Sequence, residues 1–183
     1  MSLFNKLRYL LAALVLTAGV KTVDAQRVSL KTNGLYWLGA SPNLGVELRM
    51  SRRFTLDVEA AGNPFTFNDF KTRHATFYPE LRYWFAGRPQ VQHFVGFMGI
   101  ASAYDLHLKG WMHKGDAFGV GLTYGYSFAL SKHWSLETTL GLGVLRYLER
   151  KYKEGTANPG YMNHRGWVPM PTKIGVSVVY IIK

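Results

Sequence analysis

A chain of 183 residues with 22 Lys and Arg against 11 Asp and Glu and no Cys is long enough for one domain with a real core or a small closed sheet. The lack of Cys excludes a disulfide scaffold, thiolate-bound zinc, iron–sulfur clusters, a thiol nucleophile and a lipid-modified cysteine at the N-terminus, and a hydrophobic content of 48% excludes a disordered chain. What remains is a basic chain of formal charge +11 that holds 19 Gly and is 15% aromatic, a balance compatible with a nucleic-acid binder, a polyanion-binding surface or a β-barrel in a membrane.

Residues 1–25 read as a cleaved signal peptide. Lys6 and Arg8 supply a positive start, Tyr9 to Val20 form an apolar run, and Val23-Asp24-Ala25 precede a mature start at Gln26. The run is too short for the roughly 20 residues of a spanning helix. Removing the leader takes away Lys6, Arg8, Lys21 and Asp24, so the formal charge falls from +11 to +9. A secreted chain does not meet cytoplasmic nucleic acid, so no nucleic-acid partner is expected.

Residues 26–183 form one domain with pervasive two-residue alternation, the period of a strand with two different faces. Leu44, Val46, Leu48 and Met50 oppose Gly45, Glu47 and Arg49; Phe54, Leu56, Val58 and Ala60 oppose Thr55, Asp57 and Glu59. Phe77 to Phe85, Phe118 to Leu130, Trp134 to Val144 and Ile174 to Ile182 alternate in the same way, and 28–37 and 91–103 are strand-like in composition. These make about eight strands, several of the 9–11 residues or more that a tilted membrane-spanning strand needs. The gaps at 51–53, 86–90 and 131–133 are short, and those at 63–73, 104–116 and 149–166 are long, with 39–42 breaking the pattern. Short turns at one end and long loops at the other are the arrangement of outer-membrane barrels.

A weak internal repeat has an offset of 80: Arg52-Arg53-Phe54-Thr55-Leu56-Asp57 matches Lys132-His133-Trp134-Ser135-Leu136-Glu137. Either two four-strand halves or two unrelated hairpins of one type would produce it.

If the apolar face meets lipid, the interior set contains Lys31, Glu47, Arg49, Asp57, Glu59, Glu80, Arg82, Glu137 and Lys173. Such paired charges, with Gly, Ser and Thr, fill a narrow eight-stranded interior without leaving a pore. Two aromatic groups suit two membrane interfaces: Trp84, Phe85, Phe128, Trp134 and Tyr180 near the short turns, and Tyr36, Trp37, Phe77, Phe118 and Tyr147 toward the long loops. The expected fold is therefore all-β, an eight-stranded antiparallel up-and-down transmembrane β-barrel, with a soluble lipocalin-like barrel as the alternative. The excess basic residues fall in loops and turns, where they either attract lipopolysaccharide phosphates or keep exposed loops soluble.

His133, Ser135 and Glu137 form the one constellation with hydrolase chemistry. The repeat places Arg53, Thr55 and Asp57 at the equivalent positions, with no base, and His133 lies at a short turn away from outer-leaflet lipid. None of the six His residues has a metal-ligand spacing with a second His and a carboxylate, and no phosphate-binding glycine loop occurs. The expectation is a protein with no catalytic, metal or cofactor site.

Lys31-Thr32-Asn33-Gly34-Leu35-Tyr36-Trp37, Pro42-Asn43-Leu44-Gly45-Val46-Glu47, Asn63-Pro64-Phe65-Thr66-Phe67, Pro79-Glu80-Leu81-Arg82-Tyr83-Trp84-Phe85 and Pro171-Thr172-Lys173 together resemble a family of small Bacteroidetes outer-membrane proteins known only as a domain of unknown function. Here Gly34 replaces the family's usual Leu, and the chain closes on Tyr180-Ile181-Ile182-Lys183 rather than on an aromatic residue. The resemblance implies an eight-stranded barrel in the outer membrane. It also implies genes beside fimbrillin-type fimbrial subunits, and so a role in surface-fimbria biogenesis or anchoring. The expected protein is a non-enzymatic monomer whose surroundings are outer-membrane lipid and lipopolysaccharide and whose partners are fimbrial or other surface proteins. The alternatives are a lipid A-modifying hydrolase and a soluble periplasmic carrier.

Overall fold

The computed structural model describes residues 28–63, 66–67, 70–108, 110–153, 155–156 and 159–182; the leader expected over 1–25 lies outside them. The strands are β1 (Val28–Asn33), β2 (Asn43–Arg49), β3 (Phe54–Asn63), β4 (Thr66–Phe67), β5 (Phe70–Trp84), β6 (Gln92–Leu108), β7 (Trp111–Ala129), β8 (Trp134–Lys153) and β9 (His164–Ile182), with one helical turn, α1 (Gly34–Leu38), between β1 and β2. Every pairing is antiparallel. Eight strands run in the order β3-β2-β1-β9-β8-β7-β6-β5, and β3 pairs with β5, so the sheet closes into a ring and keeps no free edge. β4 pairs only with β5, beside the β3–β5 turn.

The alternation of the sequence decides which face is which. Along β3, Thr55, Asp57 and Glu59 are buried while Phe54 is exposed; along β9, Lys173, Gly175 and Ser177 are buried while Ile174, Val176 and Val178 are exposed. On most strands the polar face points inward and the apolar face outward, the reverse of the usual soluble pattern; β6 differs in burying Phe94, Met98 and Ile100. The exterior of β7 reads Phe118, Val120, Leu122, Tyr124, Tyr126, Phe128, and that of β8 reads Trp134, Leu136, Thr138, Leu140, Leu142, Val144, with no charged residue in either run.

Three features depart from the sequence reading. First, β1 stops at Asn33, because the Asn33 side chain accepts a hydrogen bond from the Leu35 backbone N–H at 3.0 Å and so starts a helical turn where a strand to 37 was expected. Second, the expected long loop at 104–116 is mostly strand, and the one at 149–166 is strand at both its ends, over 149–153 and 164–166. β6 and β7 stay paired up to Leu108↔Trp111, and β8 and β9 from Glu149↔His164 downward. Alternation in the sequence ends where the exterior stops being apolar, whereas the backbone ladder continues past that point. Third, Trp84 is completely buried, Tyr36 lies 6.4 Å from the ring of Tyr78, and Tyr147 packs toward His164, so these three leave the aromatic groups in which the sequence placed them. Phe85, Phe128, Trp134 and Tyr180 of the expected short-turn group are exposed, and Phe54 and Tyr124 join them.

The repeat at offset 80 has a local cause. The Ser51 hydroxyl accepts from the N–H groups of Arg53 and Phe54, and the Ser131 hydroxyl accepts in the same way from His133 and Trp134. In both turns the two preceding backbone N–H groups bond the aromatic residue's carbonyl. One serine-capped turn thus serves two hairpins, and β3 and β8 stand four strands apart around the ring.

Glycine makes the narrow interior possible at two close approaches. A Cβ on Gly96 would lie 2.3 Å from Oε1 of Glu80 and from the Thr123 hydroxyl, and one on Gly125 would lie 2.3 Å from the Phe94 ring. A Gly96→Val substitution is expected to destabilise the fold by at least about 1–3 kcal/mol, the usual cost of overpacking, seen as an earlier midpoint in urea unfolding.

Candidate functional site

The buried polar face gathers eight charged side chains into one cluster. Lys31 from β1, Glu47 from β2, Asp57 and Glu59 from β3, Glu80 and Arg82 from β5, Glu137 from β8 and Lys173 from β9 are each at most 3% exposed. Arg82 is the hub. Its guanidinium lies 3.0 Å from Glu137, 3.1 Å from Asp57, 3.1 Å from Glu80 and 3.6 Å from Glu47, and 4.4 Å over the Phe94 ring. A planar group with five N–H donors is suited to bridging several carboxylates at once. Lys173 sits 2.9 Å from Glu59, 3.1 Å from Glu80 and 3.6 Å from Asp57, while Lys31 pairs with Asp57 and approaches Glu137 at 3.6 Å. The long stem of Lys31 is accommodated by Gly45, where a Cβ would meet it at 2.8 Å.

Arg49 does not join them. It lies at the end of β2, only half-buried, and its Nε donates to the Ser51 carbonyl at 3.1 Å in the short turn. The alternation of β2 puts residue 49 on the inner face, but the strand ends there and a long side chain reaches water around the rim. The interior therefore holds five carboxylates against three cations rather than four.

Both ends of the cluster are capped. Toward the short turns, the Trp84 indole donates to Thr55 at 2.9 Å, and Thr55 donates to Glu47. Trp84 also packs on Phe94 at 4.7 Å. Gln90, held at φ 57°, turns inward below them; its amide donates to Ser29 at 2.9 Å and its carbonyl accepts from Ser127 at 3.1 Å. Toward the long hairpins, Tyr36 and Tyr78 meet over Lys173, whose ammonium is 5.9 Å from the Tyr78 ring. Asn33 and Asn43 tie β1 to β2 there, the Asn33 N–H donating to the Asn43 side chain at 2.6 Å and the Asn43 amide returning to the Asn33 carbonyl at 2.9 Å.

A second cluster, missed in the sequence, lies in the hairpin extensions. Glu149 of β8 accepts from Tyr104 of β6 at 2.9 Å and is 3.0 Å from Nδ1 of both His113 of β7 and His164 of β9. Tyr104, Gly115, Glu149 and His164 are directly paired across four strands, and Gly115, without a side chain, opens the line between Glu149 and Tyr104. Only the register could reveal this group, because its members are far apart in the chain. A cavity of about 930 Å³ at this end is bordered by Asn43, Asn63, His74, Tyr104 and Gly115. Burial pushes the Glu149 carboxyl up, but the hydrogen bonds from His113 and Tyr104 outweigh it and hold the pKa below the ordinary 4.5. Among the described residues no group of three His, Cys, Asp or Glu is placed to hold a metal ion.

The hydrolase constellation is not assembled. Ser135 is buried and its hydroxyl has no hydrogen-bond partner, Glu137 is engaged by Arg82, and the His133 ring stacks on Tyr180 with centroids 6.1 Å apart.

The fold and its interior thus define an all-β protein whose closed ring of eight antiparallel strands is filled by buried charge and faces outward with apolar side chains. The chain belongs to the family described as "Protein of unknown function (DUF3575)", whose model matches residues 10–182. No curated protein and no solved structure matches it.

Removing the hub should unbalance every carboxylate around it. Arg82→Met is expected to cost on the order of 3–5 kcal/mol, as when one partner of a buried ion pair is lost, while Arg49→Met should change stability by no more than about 0.5 kcal/mol; chemical unfolding of both variants measures the difference. In the hairpins, the folded state favours charged Glu149, so its contribution is fully present above pH 4.5 and is lost as the pH falls through its depressed pKa. Hydrogen-exchange protection of the β6–β9 hairpin amides should weaken over that acid range in the native chain, and Glu149→Gln should remove this step.

Proposed function

We propose that this protein is a non-enzymatic outer-membrane β-barrel with a structural or accessory role at the cell surface. The observation that carries the reading is the uncharged apolar exterior. It runs from Phe128 to Phe118 on β7 and from Trp134 to Val144 on β8, about ten residues each. At about 3.3 Å per residue and a tilt near 40°, such runs match the roughly 25 Å apolar band of an outer-membrane barrel. Arg73, Asp105, Asp116 and Arg146 follow beyond it on their strands, where a membrane surface would return to water. Aromatic contacts at the other boundary, Phe54 with Tyr83 at 5.3 Å and Trp134 with Tyr180 at 4.9 Å, suit an interfacial girdle.

The filled interior favours a structural role over a pore. An apolar-ligand carrier has less support, because the face that would hold the ligand is charged, and a hydrolase has less, because His133 and Ser135 are apart. The hairpins β6–β7 and β8–β9 then project from the membrane as contact surfaces for other surface proteins. The resemblance to Bacteroidetes proteins encoded near fimbrillin-type genes makes fimbria biogenesis or anchoring the particular process proposed, with the chain exported by its leader and acting as a monomer.

Outer-membrane fractions tested on gels with and without boiling are expected to show heat-modifiable migration. Release by osmotic shock with unchanged migration would overturn the membrane reading. Deleting the gene should impair fimbriation, with rescue by the intact gene and not by versions trimmed in the two hairpins; normal fimbriation would remove the accessory role alone.

A further inference from the structure

The faces of β7, β8 and β9 just beyond the apolar exterior carry a basic lattice that the fold does not require. Val144, Arg146, Leu148 and Arg150 alternate along one face of β8, and Arg146 and Arg150 continue the exposed side of Leu142 and Val144. Lys114 of β7 is the direct cross-strand partner of Arg150. On β9, Trp167 is opposite Arg146 and Arg165 is opposite Leu148, so Arg165 sits diagonally between Arg146 and Arg150. Diagonal neighbours lie about 7–8 Å apart and direct ones about 5 Å apart. Four cations thus share one patch, although like charges directly opposite each other in a sheet are unfavourable.

The counter-charges within reach are fewer. Asp105 is 3.7 Å from Lys114, and Asp116, two positions along β7 from Lys114, interacts with Arg150. Neither Arg146 nor Arg165 has an ion pair among the described residues; Arg146 instead lies 5.8 Å over the Trp167 ring, and Trp167 is 68% exposed. Directly below the patch, Val120, Leu142 and Val144 are exposed and apolar. One side of the ring therefore presents cations above an apolar wall, with an exposed indole at the boundary.

A ligand complementary to this surface is anionic at one end and hydrocarbon at the other. We propose that Lys114, Arg146, Arg150 and Arg165 form a site for the phosphate of a phosphorylated lipid in the leaflet on the hairpin side, its acyl chains lying along Val120, Leu142 and Val144. Guanidinium groups bind phosphate in two-point geometry, and the partly dehydrated boundary strengthens the attraction relative to open water. The occupant is a membrane lipid rather than free phosphate because the apolar wall is continuous with the basic patch. This inference rests on the membrane reading proposed above.

The test uses the full mature chain folded in neutral detergent micelles and titrated with bis-phosphorylated lipid A or its dephosphorylated form, bound lipid being counted by native mass spectrometry. Each basic residue near an anionic surface is worth roughly fivefold in binding. The native chain is expected to prefer the phosphorylated lipid, and Arg146→Gln/Arg150→Gln/Arg165→Gln to reduce that preference on the order of a hundredfold. These positions are remote from the interior cluster, and circular dichroism with boiled and unboiled gels checks that the variant folds. The control Arg52→Gln/Arg88→Gln/Lys132→Gln removes equal charge from the opposite end and should keep the preference. Equal binding of the two lipids by the native chain, an undiminished preference in the first variant, or an equal loss in the control would overturn the lipid site and leave the membrane reading standing. Failure of the native chain to insert into lipid vesicles would overturn both.

Discussion

The Arg82 guanidinium is the constraint on which the rest of the molecule depends. It stands among carboxylates delivered by β2, β3, β5 and β8, strands spread around the ring. A buried ion pair is weak evidence for stability, since desolvation offsets most of the attraction. Its effect here is on uniqueness. A slip of any contributing strand by one residue would turn its carboxylate to the exterior and an apolar side chain to the interior, leaving Arg82 under-paired in a place without water. The cluster thereby opposes wrong registers in every strand that feeds it. Three carboxylates of the cluster (Asp57, Glu80 and Glu137) are each shared between Arg82 and a lysine, so the penalty for a slip is spread over several strands.

This arrangement requires the inverted pattern of the sheet. A soluble ring of this size would fill its interior with branched apolar residues and rely on area buried from water. In this chain most large apolar residues are committed to the exterior and only a few, Trp84, Phe94, Met98, Ile100 and Val179 among the described residues, are buried, so much of the cohesion inside comes from paired charge, hydrogen bonds and close packing. Glycine supplies the room. Gly96 lies against Glu80 and Thr123, Gly125 against Phe94, and Gly45 against Lys31. Missing side chains on neighbouring strands thus make room for Glu80, Lys31 and the Phe94 ring, which helps a Gly-rich chain bury charge in a ring this narrow.

How much of this was legible in the sequence follows from the same physics. Two-residue alternation is local, so the strands, their faces and eight of the cluster residues could be read before any fold was known. Arg49 was misplaced because alternation says nothing about where a strand stops, and the length of its arm lets it leave the inner face at the rim. Trp84 and Tyr36 were assigned to the exterior from their nearness to turns, although Trp84 has the parity of Arg82 and Glu80. The Tyr104–Glu149–His113–His164 cluster was invisible, because it depends on the pairing of four strands and contains no local signature. The resemblance motifs have a physical content as well: four of the five segments bring residues to the interior cluster, namely Lys31, Glu47, Glu80 with Arg82, and Lys173.

An interior specified this fully has a consequence for where the protein can do its work. Arg82, Lys31 and Lys173 are each held by several carboxylates, and Gln90 with Trp84 at one end and Tyr36 with Tyr78 at the other close the cluster between them. A substrate entering this space would have to displace ion pairs whose partners would then lie buried and unpaired, a cost of several kcal/mol for each. The exterior and the ends carry no such penalty. The repeated serine-capped turns keep one end short, while the ladders of β6 with β7 and of β8 with β9 extend the other well past the apolar zone. That extension is stiffened by Glu149, which joins four strands that the interior cluster no longer reaches. The chain thus divides its polar residues between two tasks: the cluster below specifies the ring, and the hairpin residues above hold a rigid surface clear of it, where recognition costs the fold least.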